Sequence, residues 1–328
     1  MLLGAMSSAA GGFLIWGLIA LGAMVGRTSL DAIAALFLLS PLVLVPLGFE
    51  VTRPLTAEST PPGRWARILL PIGAVLAAVS FWPSAGPSAG LVASGWSLVC
   101  ALAAIDGVWR LVRGGYRSVE GVCASAGVVY LFVGSVWLIL SRWGSAPFHY
   151  PGRTVLLAAV HFSFTGFVLP IVAGATANAR RTAQGPAAPA LGSTLVAAGI
   201  LVGPAILAAG NVRHSPTLKL VGALLLVAAS FGLAGQVASV MRRRCMASRP
   251  ARALVATSAL SLLLGMLLVA VYAVGEAMGR AWLTVPQMAR LHGTINALGF
   301  ALCGLLGWAL ETRGSPFPGS SLAPSPAV

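Results

Sequence analysis

The chain has 328 residues, of which 58% are hydrophobic and only 9% are charged. A soluble domain carries about a quarter charged residues, so this composition excludes an ordinary soluble fold and indicates an all-α, polytopic membrane bundle. The net charge of +14 does not indicate a nucleic-acid partner, because the basic residues form no stripe and sit in short loops between apolar runs.

A membrane-crossing helix needs about 20 mostly apolar residues, and isolated strands cannot satisfy their backbone groups in lipid. The sequence predicts ten such helices. The first covers roughly 8–26. It lacks a basic leader and precedes many similar runs, so it reads as a span and not as a cleaved signal peptide. The second, roughly 30–51, begins at Asp31 behind Thr28 and Ser29, where dipole stabilisation or capping explains an acid as well as function does. Pro41 and Pro46 in it, Pro71 in the third helix (67–83), Pro170 in the sixth and Pro204 in the seventh predict kinks. The segment RPLTAESTPPGRW reads as a hydrophilic loop between the second and third helices.

The fourth helix, 90–112, carries Asp106 and Arg110 four residues apart in the favourable acid-first order, an expected structural ion pair. The fifth covers 118–141 and the sixth 154–178, in the run LLAAVHFSFTGFVLPIVAG. Here His161 and Thr165 share a helical face while Ser163 points elsewhere. The seventh and eighth, 189–210 and 217–240, lead to the basic loop MRRRCMASRPAR. The ninth, 253–275, brings Tyr272 and Glu276 onto one face, with Arg280 a further four residues on as a possible partner for the acid. The tenth, 287–310, lies in MARLHGTINALGFALCGLLGW; Pro286 suits its first turn, with Thr284 as cap. His292 and Asn296 share a face that Gly299 and Cys303 continue. A membrane domain over 1–311 and a disordered Pro/Ser/Gly-rich tail over 312–328 follow from these assignments.

Lys and Arg favour one set of loops two to one, which places both termini in the cytoplasm. Trp82, Trp143, Phe148, Tyr150 and Trp282 then form an aromatic belt at the outer face. The parity of the spans gathers His149, His161, His214, His292, Asp31 and Glu276 in the same half of the bundle. That result holds for either orientation. His149 and His214 fall in loops and read as solvated. The scattered Cys100, Cys123, Cys245 and Cys303 support neither a disulfide framework nor a thiolate metal site.

An ionisable group inside an apolar span is a functional candidate by default. The competing reading is a histidine that bonds a neighbouring helix and fastens the bundle. At the two histidine runs the sequence resembles the YndJ-like family of bacterial membrane proteins, most strongly over 147–310. The resemblance implies a polytopic cell-membrane protein of a family whose members are often labelled transporters. It also implies that His161, His292 and Asn296 are signature positions. The family pattern tends toward HFHF where this chain has HFSF, so Ser163 replaces a second imidazole.

Three functions fit the residues themselves. The first is a membrane-embedded acid–base enzyme, an isomerase, a cyclase or an epoxide-opening enzyme, acting on a lipophilic small molecule that enters from the lipid bilayer. His161 and His292 serve as acid and base, Asn296 orients or stabilises an oxyanion, and Glu276 or Asp31 tunes them. Thr165 and Tyr272 are the expected substrate contacts. No cofactor is expected for such chemistry. No metal is expected either, since two histidines and a carboxylate can hold zinc but HExxH or comparable spacing is missing. The second function is a small-molecule transporter built as two inverted five-helix repeats. The third is a structural membrane partner with the histidines as glue.

Overall fold

The computed structural model describes residues 2–27, 30–55, 60–184 and 191–314. Ten helices follow the apolar runs in chain order. They are α1 (Leu2–Met24), α2 (Ala32–Leu55), α3 (Pro61–Val79), α4 (Pro87–Val112), α5 (Val119–Trp143), α6 (Gly152–Ala183), α7 (Leu191–Val212), α8 (Pro216–Arg242), α9 (Arg249–Ala277) and α10 (Val285–Arg313). Nine of them, α2 to α10, are long and apolar enough to cross a membrane, and no strand occurs among the described residues. The all-α, multi-span architecture is therefore as the sequence predicts.

Two boundaries differ instructively. The expected loop before α3 is shorter, because Pro61 and Pro62 form the first turn of the helix and the Thr60 hydroxyl accepts from the Gly63 amide. Proline suits a first turn, where no intrahelical N–H bond is lost, so this Pro-rich stretch starts a helix and does not precede one. At the other end, α10 continues past residue 311 to Arg313. The rest of the expected tail, residues 315–328, lies outside the described residues.

Helix α2 carries no charged residue between Asp31 and Glu50, so no face of it is held at the surface. It is the most thoroughly buried span, with α6 next. Sequential helices pack as neighbours along α3–α4–α5 and α7–α8–α9–α10, while α2 and α6 run through the middle.

Three spans change register in their course. Residues Ser40–Leu44 of α2, Phe162–Val168 of α6 and Ile295–Leu302 of α10 are π-helical. Proline accounts for two of them. Pro46 has no N–H for the carbonyl of Leu42, nor Pro170 for that of Gly166, and the widened turn lets other amides reach back one residue further. Accordingly the Val45 amide bonds to the Ser40 carbonyl and the Leu169 amide to the Phe164 carbonyl. These three segments touch one another pairwise and form the centre of the bundle. Helix α1 packs on the first of them, with Gly12 against the carbonyl oxygen of Leu42.

Polar contacts tie the two ends. At one end Asp31 pairs with Arg153 (3.3 Å), Arg142 bonds the carbonyls of Ser80 and Pro83 (both 3.0 Å), and the Tyr150 hydroxyl donates to the Asn211 carbonyl (2.7 Å). Lys219 pairs with Glu276 at the same end (2.8 Å). At the other end Arg181 pairs with Glu120 (2.7 Å), and Glu311 accepts from the amides of Ala247 and Ser248. The parity read from the sequence thus reappears as contacts between alternate loops. Trp82, Trp143, Phe148 and Trp282 are exposed near the first end.

A Cβ at position 12 would overlap the Leu42 carbonyl oxygen. Gly12→Val is therefore expected to push α1 off the π-helical turn and destabilise the chain by about 1–3 kcal/mol, the usual range for overpacking. Thermal unfolding in detergent checks this, and an unchanged midpoint contradicts the contact.

Candidate functional site

The Thr284 hydroxyl caps α10 by accepting from the Gln287 amide, and Gln287 reaches back to the Thr284 amide, a full capping box. This fixes the start of the helix, so His292 lies about 10 Å along it at 1.5 Å per residue. In α6 the helix starts at Gly152, which puts His161 about 14 Å along its own axis.

His292 is half-buried between α10 and α9. Its Nδ1–H donates to the carbonyl of Gly265 on α9 at 3.0 Å. That bond leaves Nε2 as the acceptor, and Asn296 Nδ2 lies 3.3 Å from it. The same amide nitrogen is 2.9 Å from Nδ1, but there a donor would face a donor, so the bond to Nε2 is the one this tautomer allows. Gly265 is what makes the arrangement fit. A Cβ built there would sit 2.6 Å from Asn296 Nδ2 and 2.8 Å from its Oδ1.

His161 stands differently. It is exposed on the side of α6, and its Nδ1–H donates to the Leu157 carbonyl of its own helix at 2.9 Å. Its Nε2 is therefore left as an acceptor. His161 lies within electrostatic range of His292, and the π-helical segments that follow the two residues are in contact. Both imidazoles thus hold a proton on Nδ1, and the Nε2 of His292 is engaged by Asn296.

The other expected site residues separate by depth. Asp31 caps α2 by accepting from the Ala34 amide and pairs with Arg153 at the start of α6, which aligns those two helices. Glu276 is exposed and pairs with Lys219 of α8, not with Arg280. Helix α9 stops at Ala277, and Gly279 turns the chain with φ +67°, so the i, i+4 relation no longer reaches Arg280. Tyr272 is half-buried within electrostatic range of both Glu276 and Lys219. Thr165 is half-buried inside the π-helical turn of α6, where the wider spacing removes it from the α-helical face of His161. Ser163, set aside in the sequence, is buried instead.

Sequence reasoning missed three participants. Gly265 contributes a backbone carbonyl, which no side-chain pattern reveals. The Ser258 hydroxyl donates to the Phe300 carbonyl at 2.8 Å and so satisfies the π-helical turn of α10 from the neighbouring helix. Ser40, fully buried in the π-helical turn of α2, has an Oγ without a hydrogen-bond partner among the described residues, as does Asn296 Oδ1. The spacing of Ser258, Ser261 and Gly265, which forms one small polar stripe on α9, is the signal that could have located the α9–α10 seam.

Ser258→Ala removes the hydroxyl that donates to the Phe300 carbonyl, and it is expected to cost about 0.6–1 kcal/mol, the scale of interhelical hydrogen bonds in membranes. Thermal unfolding in detergent measures it. Nitrogen-15 shifts of His292 are expected to report a protonated Nδ1 and an unprotonated Nε2; the reverse tautomer contradicts the bond to Gly265.

Comparison with known proteins gives two matches and one blank. A family model described as YndJ-like protein matches residues 35–300, more than half of the chain. The uncharacterized membrane protein YndJ of Bacillus subtilis (strain 168) is 25% identical over 227 residues, covering 69% of this chain and 39% of that protein. The chain thus spans well under two thirds of the length of that relative. No solved structure matches it.

Proposed function

The chain belongs to the YndJ-like family and is a multi-pass membrane protein, and from that premise we propose that it is a membrane-embedded acid–base enzyme acting on a lipophilic small molecule. The observation that carries the reading is the pair of imidazoles within electrostatic range, one exposed on the side of α6 and one half-buried between α10 and α9. A molecule dissolved in the bilayer would meet His161 first, with His292 as the second proton-handling group. Histidine gives and takes protons near neutral pH, which suits isomerisation, cyclisation or epoxide opening without a cofactor. Asn296 spends its amide N–H on His292 Nε2 and keeps Oδ1 to orient a polar group of the substrate. Asp31 and Glu276, engaged by Arg153 and Lys219, act by fixing helix positions. The positive-loop bias supports both termini in the cytoplasm, which puts the imidazoles in the outer half of the membrane.

A transporter is the second reading, favoured by the π-helical interruptions in α2, α6 and α10, since broken helices at the centre of a bundle are a feature of carriers.

The two separate experimentally. Membranes containing the protein, incubated in D2O with a bilayer lipid extract, should convert a lipophilic species, with deuterium incorporated at carbon where the step is an isomerisation or a proton-initiated cyclisation. His292→Ala and His161→Ala should each lower that conversion by about 10²-fold or more, the usual contribution of a general acid or base, at unchanged expression. Conversion that persists in both variants overturns the enzyme reading. Uptake of an unaltered molecule into sealed vesicles establishes the carrier instead.

A further inference from the structure

At the end of the bundle opposite the histidines, the turn from α8 to α9 concentrates positive charge. Arg242 ends α8, Arg243 and Arg244 follow it, and Arg249 and Arg252 lie in the opening turn of α9. The first four are exposed and Arg252 is half-buried, and among the described residues none of them forms an ion pair. The acids described at this end are engaged elsewhere. Glu50 faces Arg53, Asp106 pairs with Arg110, Glu120 pairs with Arg181, and Glu311 accepts from the amides of Ala247 and Ser248. Glu58, outside the described residues, carries charge for only one of these arginines.

Membrane topology asks only that such charge be present, but this turn also holds it in place. The Arg244 amide bonds to the Met241 carbonyl (3.1 Å) and the Cys245 amide to that of Val240 (3.2 Å). Met246 is buried, the Ser248 hydroxyl caps α9, and Glu311 ties the turn to the end of α10. Two placements run against local stability. Arg244 has φ +52°, in the left-handed region where glycine carries no strain. Arg249 and Arg252 stand at the positive end of the α9 dipole, with no acid in that turn to offset them. Negative charge beside the turn would relieve that repulsion. Because the turn joins two spans, the nearest source is the headgroup layer of the bilayer itself.

We propose that the α8–α9 turn is a docking surface for anionic phospholipid headgroups, gathering a lipid such as phosphatidylglycerol around this corner of the bundle. Arginines clustered directly beside a span attract anionic lipid, each adding to the pull. This surface is separate from the histidine site.

The test places a bimane fluorophore on the full chain at Ala247→Cys, an exposed position in the turn, with Cys100, Cys123, Cys245 and Cys303 replaced by serine or alanine. The protein is reconstituted into phosphatidylcholine vesicles containing a small fraction of nitroxide lipid. The nitroxide sits high on the acyl chain of either phosphatidylglycerol or phosphatidylcholine. Identical leaflets make the quenching independent of which way the chain is inserted. The expected result is a local enrichment of phosphatidylglycerol over phosphatidylcholine of about threefold or more, reduced by high salt. Arg242→Gln, Arg243→Gln and Arg244→Gln combined should at least halve that excess, while the same three positions changed to lysine should keep it. Arg249→Gln alone should lower it by a smaller step, and it keeps the test decisive if the triple change unfolds the chain. Arg213→Gln, exposed at the other end, should leave it unchanged. Equal quenching by the two labelled lipids, or an enrichment that survives the glutamine changes in folded protein, overturns the proposal.

Discussion

Inside a bilayer every backbone carbonyl and amide must find its partner within the protein, and that constraint organises this bundle. Where α2 and α6 lose a donor to proline, the chain widens into a π-helical turn and closes its bonds one residue further on. Where α10 widens, Ser258 of α9 supplies a hydroxyl to the Phe300 carbonyl. Irregular backbone of this kind is stable only when covered by other helices. The three interrupted segments accordingly lie against each other at the centre, with α1 laid over the first of them through Gly12.

The same constraint explains the surroundings of His292. An imidazole in an apolar span must spend its N–H on something, and the Gly265 carbonyl takes it because a residue without a Cβ leaves room for Asn296. One bond therefore fixes the tautomer and fastens α10 to α9. Fastening and chemistry are not exclusive readings of it, since a base must be held before it can act. His161 obeys the rule within its own helix, bonding to the Leu157 carbonyl.

Much of this was legible in the residues. The apolar runs marked all the helices because hydropathy is a strong signal over a span of about 20 residues. His292 with Asn296 was legible from helical spacing, and the grouping of polar residues at one end was legible from the parity of the spans. The start of α3 was not, because Pro61 and Pro62 resemble a loop until Thr60 is recognised as a cap. The π-helical turns were hidden as well: a proline predicts a kink but not its form, and α10 has no proline to announce one. Glu276 was assigned the wrong neighbour because a rule of helical spacing was carried past the end of α9. Backbone acceptors such as Gly265 leave no trace in a side-chain pattern.

The account rests on α6 and α10 meeting at the centre with their histidines close together. Cysteines placed at positions 161 and 292, in a background where the four native cysteines are replaced by serine or alanine, test this in intact membranes with a short bifunctional maleimide. Efficient cross-linking of that pair, without cross-linking between position 161 and the exposed position 195 of α7, is the predicted result. Failure of the 161–292 pair to cross-link, while each single cysteine still reacts with a monofunctional maleimide, would contradict it.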